Sequence, residues 1–536
     1  GAGTSGRLAV AAVRTRAHAL QEAAAPAAAA RLVALHAGFP HAMLAAVEGA
    51  EDDPELAERD LTRAAQASTS EGARVQYIGI TCGLSAPYVG AQLRHCLANP
   101  ERFAPPILIG FSPLALARKT VVPRWGHAFS EVAAELACHG KGRPLCPVVG
   151  PEAVTGSTRM KGGTATLLLL HALLAGVGRE PPSSTPPAHS LTAALLDEAC
   201  AAYAATYAHV APLAEIVEAS ATALSRGGHI RYLCGGLLRG GPCLASILAA
   251  IDASEQVPTY GARPEDVEAR LGGGWRALGL SDAEAEAEAL PRIDLDHFES
   301  EELPTLTAAD LCVCLRGSRA GELPAELLAR VRAAAATAGF RVVHIALAAD
   351  AEEADALRRE TEAAAEAAAI LVPPKASPAA APAGDENIDL NAAVAAKLAF
   401  NCLSTGAHVR IGKVYRSRMV DVRVSNDKLF ARAVSIVAEL ARADTETARE
   451  CLLRAIHKVD PPAPMPSETS AMPVSEHVQA ATAVQRSSDG APLVPTAVLL
   501  ATGAGHTLAS AEAALARATC PREAVNEALA LACSAT

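Results

Sequence analysis

Short runs of apolar, β-favouring residues recur along the chain, separated by longer stretches in which apolar positions return every three or four residues. Val75–Ile80, Pro106–Gly110 and Cys146–Gly150 read as buried strands, and so do Ile230–Cys234, Leu311–Leu315, Arg341–Ala346 and Ala368–Val372. Between them lie helical patterns such as Pro324–Ala338, where Pro324 suits a first helical position because a missing N–H loses nothing there. Strand–helix alternation predicts an α/β fold with parallel, doubly wound layers. The pattern occurs twice. Each half opens on a strand and a Gly-rich turn and closes on a leucine-rich helix, Thr164–Leu174 in the first and Ala393–Leu403 in the second. Pro181–Pro187 punctuates the halves, helices from about Ser190 to Ser225 bridge them, and Pro373–Asn387 reads as an exposed loop. After about Ser425 the pattern is helical, broken at Pro461–Val474 and ending in short helices around Thr507–Arg517 and Glu523–Cys533. The expected division is therefore 1–188, 189–424 and 425–536. Alanine tracts at Ala23–Ala30 and Ala363–Ala369 read as helix formers without functional weight.

Composition narrows the classes. With 536 residues the chain is too long for one core. Half of it is hydrophobic but only 3% is aromatic, so Ala-rich helices and Val/Ile/Leu strands must build the interior. A net charge of −11 argues against nucleic-acid or membrane-surface binding. Any phosphate must then be held by a local pocket inside an acidic protein. The thirteen cysteines form no CxxC pair, and Cys82, Cys234, Cys312 and Cys314 sit in apolar runs, as reduced core cysteines do. The apolar run Thr164–Gly178 is interrupted by His171 and falls short of the roughly 18–20 residues of a bilayer span. No signal peptide is visible, and a start without Met inside a motif reads as a fragment.

The densest chemistry lies in Gly150–Leu170, GPEAVTGSTRMKGGTATLLLL, with Arg159 and Lys161 at the mouth of an apolar helix. A Gly/Ser/Thr turn feeding a helix offers backbone N–H groups and the positive helix end to an anion such as a sugar phosphate. GAGTSGR (Gly1–Arg7) reads as the Gly turn after a strand, with Thr4 and Ser5 as hydroxyl donors; a tight strand–helix turn explains it equally well. GITCGLSAPYV (Gly79–Val89) supplies Thr81, Gly83 and Ser85, and Ser85 also suits the N-cap of a helix from Ala86. VEGAEDD (Val47–Asp53), which contains Glu51, is on spacing alone a solvated helix start. IDASEQVPTYGA (Ile251–Ala262), which contains Glu255, reads as a surface turn. In Leu403–Ala433, Lys428 and Arg432 stand one helical turn apart and share a face.

Together these segments resemble the sugar-isomerase (SIS) branch that holds the N-acetylmuramate 6-phosphate etherases and the glucokinase regulatory proteins. ITCGLSAPYVGAQ, ILIGFSPLALAR, LSTGAHVRIGK, VSNDKLFARA and ECLLRAIH are most similar to the regulatory proteins. The resemblance is weakest over Thr185–Gly227 and Arg263–Leu390. It implies two tandem SIS domains and a C-terminal helical lid, a fructose 6-phosphate or fructose 1-phosphate ligand, a glucokinase-type kinase as partner, no cofactor or metal, and a cytoplasmic protein with the nucleus as a second compartment. It also implies phosphate ligands at Thr4, Ser5, Thr81, Gly83, Ser85 and Lys428. Sugar contacts would come from Glu51, Arg159, Glu255 and Asn426, with Arg432 nearby.

The chain departs from that pattern in two places. Thr15 stands where the etherases carry Glu, and the second glycine turn, CGGLLRGG, lacks a Thr-Ser pair. One sugar phosphate per chain is therefore expected. Glu51 and Glu255 could serve as base and acid in lactate-ether cleavage, or hold sugar hydroxyls without catalysis. The regulatory wording favours binding over lyase chemistry, and an aldose–ketose isomerase is a weaker third reading.

Overall fold

The computed structural model describes residues 1–534 except 24, 30, 46, 48, 69–72, 123, 139, 176, 178–187, 239–240, 255–266, 322, 376–387, 487–491 and 503–506. The chain divides into two compact units. The first holds nearly everything up to Ala407; the second holds His408–Thr536 and the short stretch Ala153–Thr155.

The first unit contains two parallel sheets. β1 (Ile78–Ile80), β2 (Ile107–Ile109) and β3 (Arg143–Leu145) form one, in that order. Beside it in sequence come β4 (Ile230–Cys234), a small hairpin of β5 (Leu237–Leu238) and β6 (Gly241–Pro242), and then β7 (Ala269–Leu271), β8 (Leu311–Arg316), β9 (Arg341–Leu347) and β10 (Ala367–Leu371). The second sheet runs β10-β9-β8-β4-β7 and is parallel throughout. Its central strands are near-continuous Val/Ile/Leu/Cys because helices cover both faces. The α/β expectation holds.

The two halves share an interior. Leu8, Val10 and Ala11 of the opening helix (Gly3–Glu22) and Leu167 of the helix Lys161–Leu174 lie in one apolar cluster with Tyr232, Val313, Val394 and Phe400 of the second half. The opening helix packs on both the Lys161–Leu174 helix and the Leu244–Ser254 helix, so it ties the two sheets together.

Several local expectations change. Cys146–Gly150 is not a buried strand: β3 lies just before it, and Val148 is 67% exposed. Pro147 has no N–H to give to a ladder, and apolar character alone does not say which side of an edge a segment takes. β7 is absent from the sequence reading because its centre is Arg270, which the apolar pattern cannot count as strand interior. Arg270 is 1% exposed, forks onto Glu302 (2.6 and 2.8 Å) and also donates to the carbonyls of Val267 and Ala269. The alanine tract 363–369 is split, its helix ending at Ala363, Ala365 turning left-handed (φ 54°) and Ala367 starting β10. Pairing with β9 overrides helix propensity there. Pro324 is the N-cap of the helix Ala325–Ala338, one place earlier than expected. The bridging segment forms two helices, Ala188–Tyr207 and Val210–Ser225.

The second unit carries a two-stranded hairpin, β11 (Val414–Tyr415) and β12 (Arg418–Met419), followed by helices. Asp427–Ala441, Thr445–His457, Val474–Arg486 and Leu493–Ala501 surround a core of Phe430, Val437, Leu452, Ile456 and Val498. Asn426, Asp444 and Thr507 cap three of the helices with their side chains, which is why the boundaries fall where short polar residues precede apolar runs. Among the described residues no helix is long and apolar enough to cross a membrane.

Candidate functional site

Three elements of the first half converge. The first is the start of the opening helix, which has Ala2 at its N-cap, no capping side chain and no acidic residue in its first turn. Thr4 and Ser5 lie inside that first turn, rather than in a turn preceding a helix, and Ser5 is buried. The second is the loop after β1. The Thr81 hydroxyl accepts the Ser85 amide (3.3 Å), Gly83 is exposed, and Leu84 is fully buried with a left-handed backbone (φ 50°). A bulky residue in that region is strained, and here its side chain plugs the space over Gly110, where a Cβ would stand 2.4 Å from Leu84 Cδ2. Ser85 does not cap. The helix begins at Pro87 with Ala86 at its N-cap, and the proline, with its fixed φ and no N–H to satisfy, suits that first position.

The third element is the Lys161–Leu174 helix. An anion does sit at its N-terminus, and it belongs to the chain: the Glu152 carboxylate accepts the amides of Lys161 and Gly162, both at 2.9 Å. The Thr164 and Thr166 hydroxyls donate back to the carbonyls of Met160 and Gly162. Two of the amides at that helix end are thus taken by the chain itself. Cys82 knits the three together, its Sγ lying 3.4 Å from Ser5 Oγ and 3.7 Å from Thr166 Oγ1. Burial pushes this thiol up, with the Ser5 and Thr166 hydrogen bonds opposing and the Glu152 charge adding to the rise, so it stays protonated and inert.

Arg159 sits at the turn before the same helix. Its guanidinium forms an ion pair with Asp252 and donates to Ser404 Oγ and Thr405 Oγ1, both at 2.9 Å. Lys397 donates to the Arg159 carbonyl (2.7 Å), and its ammonium lies 3.2 Å from where a Cβ on Gly163 would be. Ser5, the Thr81–Ser85 loop and Arg159 are thereby linked through Cys82, Gly162, Gly163 and Lys397.

Glu51 lies in a short 3-10 turn, Ala50–Asp52, which packs on the Pro87–Ala98 helix. Its neighbour Asp53 accepts the amides of Glu55 and Leu56 at the head of the helix Pro54–Ser68, so that part of the acidic cluster is a helix start. Glu255 lies outside the described residues. Asn426, Lys428 and Arg432 lie in the second unit, on and before the first turns of the Asp427–Ala441 helix; Asn426 Oδ1 accepts the Leu429 amide at 2.8 Å.

Sequence reasoning missed Glu152, Asp252, Lys397, Asn401, Ser404 and Thr405. The signal for the last four was present: polar residues spaced 4, 3 and 1 apart in an otherwise apolar helix, Leu390–Arg410, fall on one face.

Among the described residues the second half offers no comparable cradle. The Ser318 amide and hydroxyl and the Ala349 amide all go to the Glu353 carboxylate (2.6–2.7 Å). A Cβ on Gly236 or Gly317 would meet backbone carbonyl oxygens at 2.0 and 2.4 Å. Backbone packed on backbone leaves no room there for a phosphate.

Residues 1–97 match the family described as the glucokinase regulatory protein N-terminal SIS domain, and residues 416–525 match the C-terminal lid domain of glucokinase regulatory protein. The chain is 30% identical to the human glucokinase regulatory protein over 507 residues, covering 92% of this chain and 75% of the human one. It is 28% identical to the Xenopus laevis protein over 78% of this chain and 65% of that relative, and so spans just under two thirds of the frog protein's length. An N-acetylmuramic acid 6-phosphate etherase from Klebsiella aerogenes is 32% identical over 45% of this chain and 70% of the enzyme. Among solved structures, the C-terminal domain of glucosamine-fructose-6-phosphate aminotransferase from Francisella tularensis aligns at TM-score 0.39 and 13% identity, over 76% of this chain and 82% of that one; so loose a likeness carries no argument. On the human match in particular, the chain belongs to the glucokinase regulatory protein family.

Proposed function

We propose that this chain is a phosphosugar-binding regulator that senses fructose 6-phosphate or fructose 1-phosphate and controls, by inhibition, a glucokinase-type sugar kinase. The observation that carries the reading is the convergence of the opening helix's uncapped start, the strained Thr81–Ser85 loop and the Arg159 turn in a member of this family. Hydroxyls, amides and a cation or two suit a phosphate dianion on a sugar. Regulation requires that the sugar phosphate bind the kinase-holding and kinase-free states with different affinity. Cytoplasm, with the nucleus as a second compartment, is the proposed location.

Titration calorimetry with both fructose phosphates tests ligand binding, and a pull-down with a glucokinase, with and without ligand, tests partnership. Absence of heat with either sugar, together with an Arg159→Ala variant that behaves as wild type, would remove this reading. A lyase reading has one specific support, the 32% identity to the Klebsiella etherase. Release of D-lactate from N-acetylmuramate 6-phosphate, lost in Glu51→Gln, would establish it instead.

A further inference from the structure

Arg159 is gripped at both ends. Its carbonyl accepts from Lys397 Nζ (2.7 Å), Lys397 also donates to Asn401 Oδ1 (2.8 Å), the Asn401 amide donates to Asp252 Oδ1, and that same oxygen pairs with the Arg159 guanidinium. The four residues close a hydrogen-bonded ring between the first half's Gly156–Met160 turn and two helices of the second half, Leu244–Ser254 and Leu390–Arg410. Ser404 and Thr405 brace the guanidinium from the next turn, and the Ser404 hydroxyl donates a hydrogen bond to the Phe400 carbonyl (2.9 Å).

The ring is closed on the protein side and open at one member. Asp252 and Lys397 are each 3% exposed and Asn401 7%, whereas the Arg159 side chain is 13% exposed. Of the five guanidinium N–H groups, three are used among the described residues; the Nε–H and one Nη1–H remain. Asp252 Oδ2 is buried without a hydrogen-bond partner, so this carboxylate depends on Arg159 and Asn401 through one oxygen. A buried charge so placed holds its partner in one orientation, because any other leaves the carboxylate uncompensated.

We infer that Asp252 and Lys397 are positioning residues: they fix the Arg159 turn from the second half of the chain, so that the two unused guanidinium donors are presented to a sugar's hydroxyl oxygens. The sugar-binding role of Arg159 rests on the reading proposed above; the positioning by Asp252 and Lys397 does not.

A double-mutant cycle on the full chain separates the two. Amide hydrogen exchange of residues 156–164, measured without ligand in wild type, Asp252→Asn, Arg159→Ala and the double variant, reads the positioning directly. Exchange there should quicken by about tenfold in Asp252→Asn, and the double variant should match Arg159→Ala, as coupled contacts behave. Lys397→Gln should quicken the same amides, which keeps the test alive if the Asp252 variant folds poorly. Fructose 6-phosphate affinity should fall by about tenfold in Asp252→Asn, with inorganic phosphate affinity little changed, since Arg159 acts on the sugar and not the phosphate. Unchanged exchange in both single variants, or strictly additive effects in the cycle, would overturn the positioning role. A wild-type chain that ignores fructose 6-phosphate would remove the functional reading, while the exchange cycle would still decide this one.

Discussion

Leu84 and Gly110 show how one side chain can shape a loop. Leu84 accepts a left-handed backbone because its side chain is fully buried and fills the space over Gly110. A methyl group on Gly110 would press on Leu84 Cδ2 at 2.4 Å and on the Thr81 carbonyl oxygen at 3.3 Å. Gly110→Ala is therefore expected to destabilise the protein by about 1–3 kcal/mol, as overpacked cores do, with a lower urea midpoint and a weakened sugar phosphate interaction. Glu152 offers a second residue-scale test. Its carboxylate caps the Lys161–Leu174 helix through two amides, and Glu152→Ala should cost about 1 kcal/mol in denaturant unfolding. The same variant frees those amides, so inorganic phosphate should bind it more tightly than wild type if that helix end can take an outside anion.

At the scale of elements, the second unit carries a pair of histidines on neighbouring helices. His457 Nε2 and His477 Nδ1 are 2.9 Å apart, Phe430 stacks on the His477 ring, and His477 Nε2 is buried without a partner. Burial lowers both imidazoles below the usual 6.5, and for His477 the charges of His457 and Arg449 add to it. The unfolded chain then binds protons that the folded pair refuses, so stability is full above the unfolded value and falls as pH drops below it. Exchange protection of the Thr445–His457 and Val474–Arg486 helices should decline between pH ~7.5 and ~5.5, and His477→Gln should flatten that dependence. The first unit has a part-buried carboxylate, Glu366, just before β10, facing His344 of β9. Burial pushes the Glu366 carboxyl up, but hydrogen bonds from His344 and Arg332 outweigh it and bring it down to about 2. Its contribution is present above the usual carboxyl value of 4.5 and is lost as pH falls toward 2. Burial also holds the His344 imidazole on β9 below 6.5, so mild acid should weaken the five-stranded sheet over the same range as the His457–His477 helices, which pH-jump hydrogen exchange would reveal.

For the whole molecule, the shared core of the two halves matters most. A duplicated pattern could have produced two independent domains, each with its own ligand. Instead Leu8 and Leu167 of the first half pack with Val394 and Phe400 of the second, and the Arg159 ring crosses the same boundary. The described strand-end loops of the second half are closed by Glu353 and by backbone contacts. Calorimetry is expected to give one fructose phosphate per chain, and a stoichiometry of two would show that the closed loops open in solution.

Much of this was legible in the order of residues, for identifiable reasons. Strands such as Leu311–Leu315 and Arg341–Ala346 announce themselves because a strand buried on both faces is apolar at nearly every position. Helix starts at Asp427 and Leu508 follow from Asn426 and Thr507, since capping is a bond between near neighbours. Ser5, Thr81 and Arg159 could be singled out because Gly, Ser and Thr cluster around them, a density that tight strand–helix turns also use. What neighbours in sequence cannot settle is which distant group satisfies a polar atom. Only the folded chain put Glu152 on the helix end expected to take a phosphate, gave Arg159 to Asp252, Ser404 and Thr405, and hid Arg270 in a strand against Glu302. Each is a charge that needs a partner, and partners so far apart along the chain are chosen by packing.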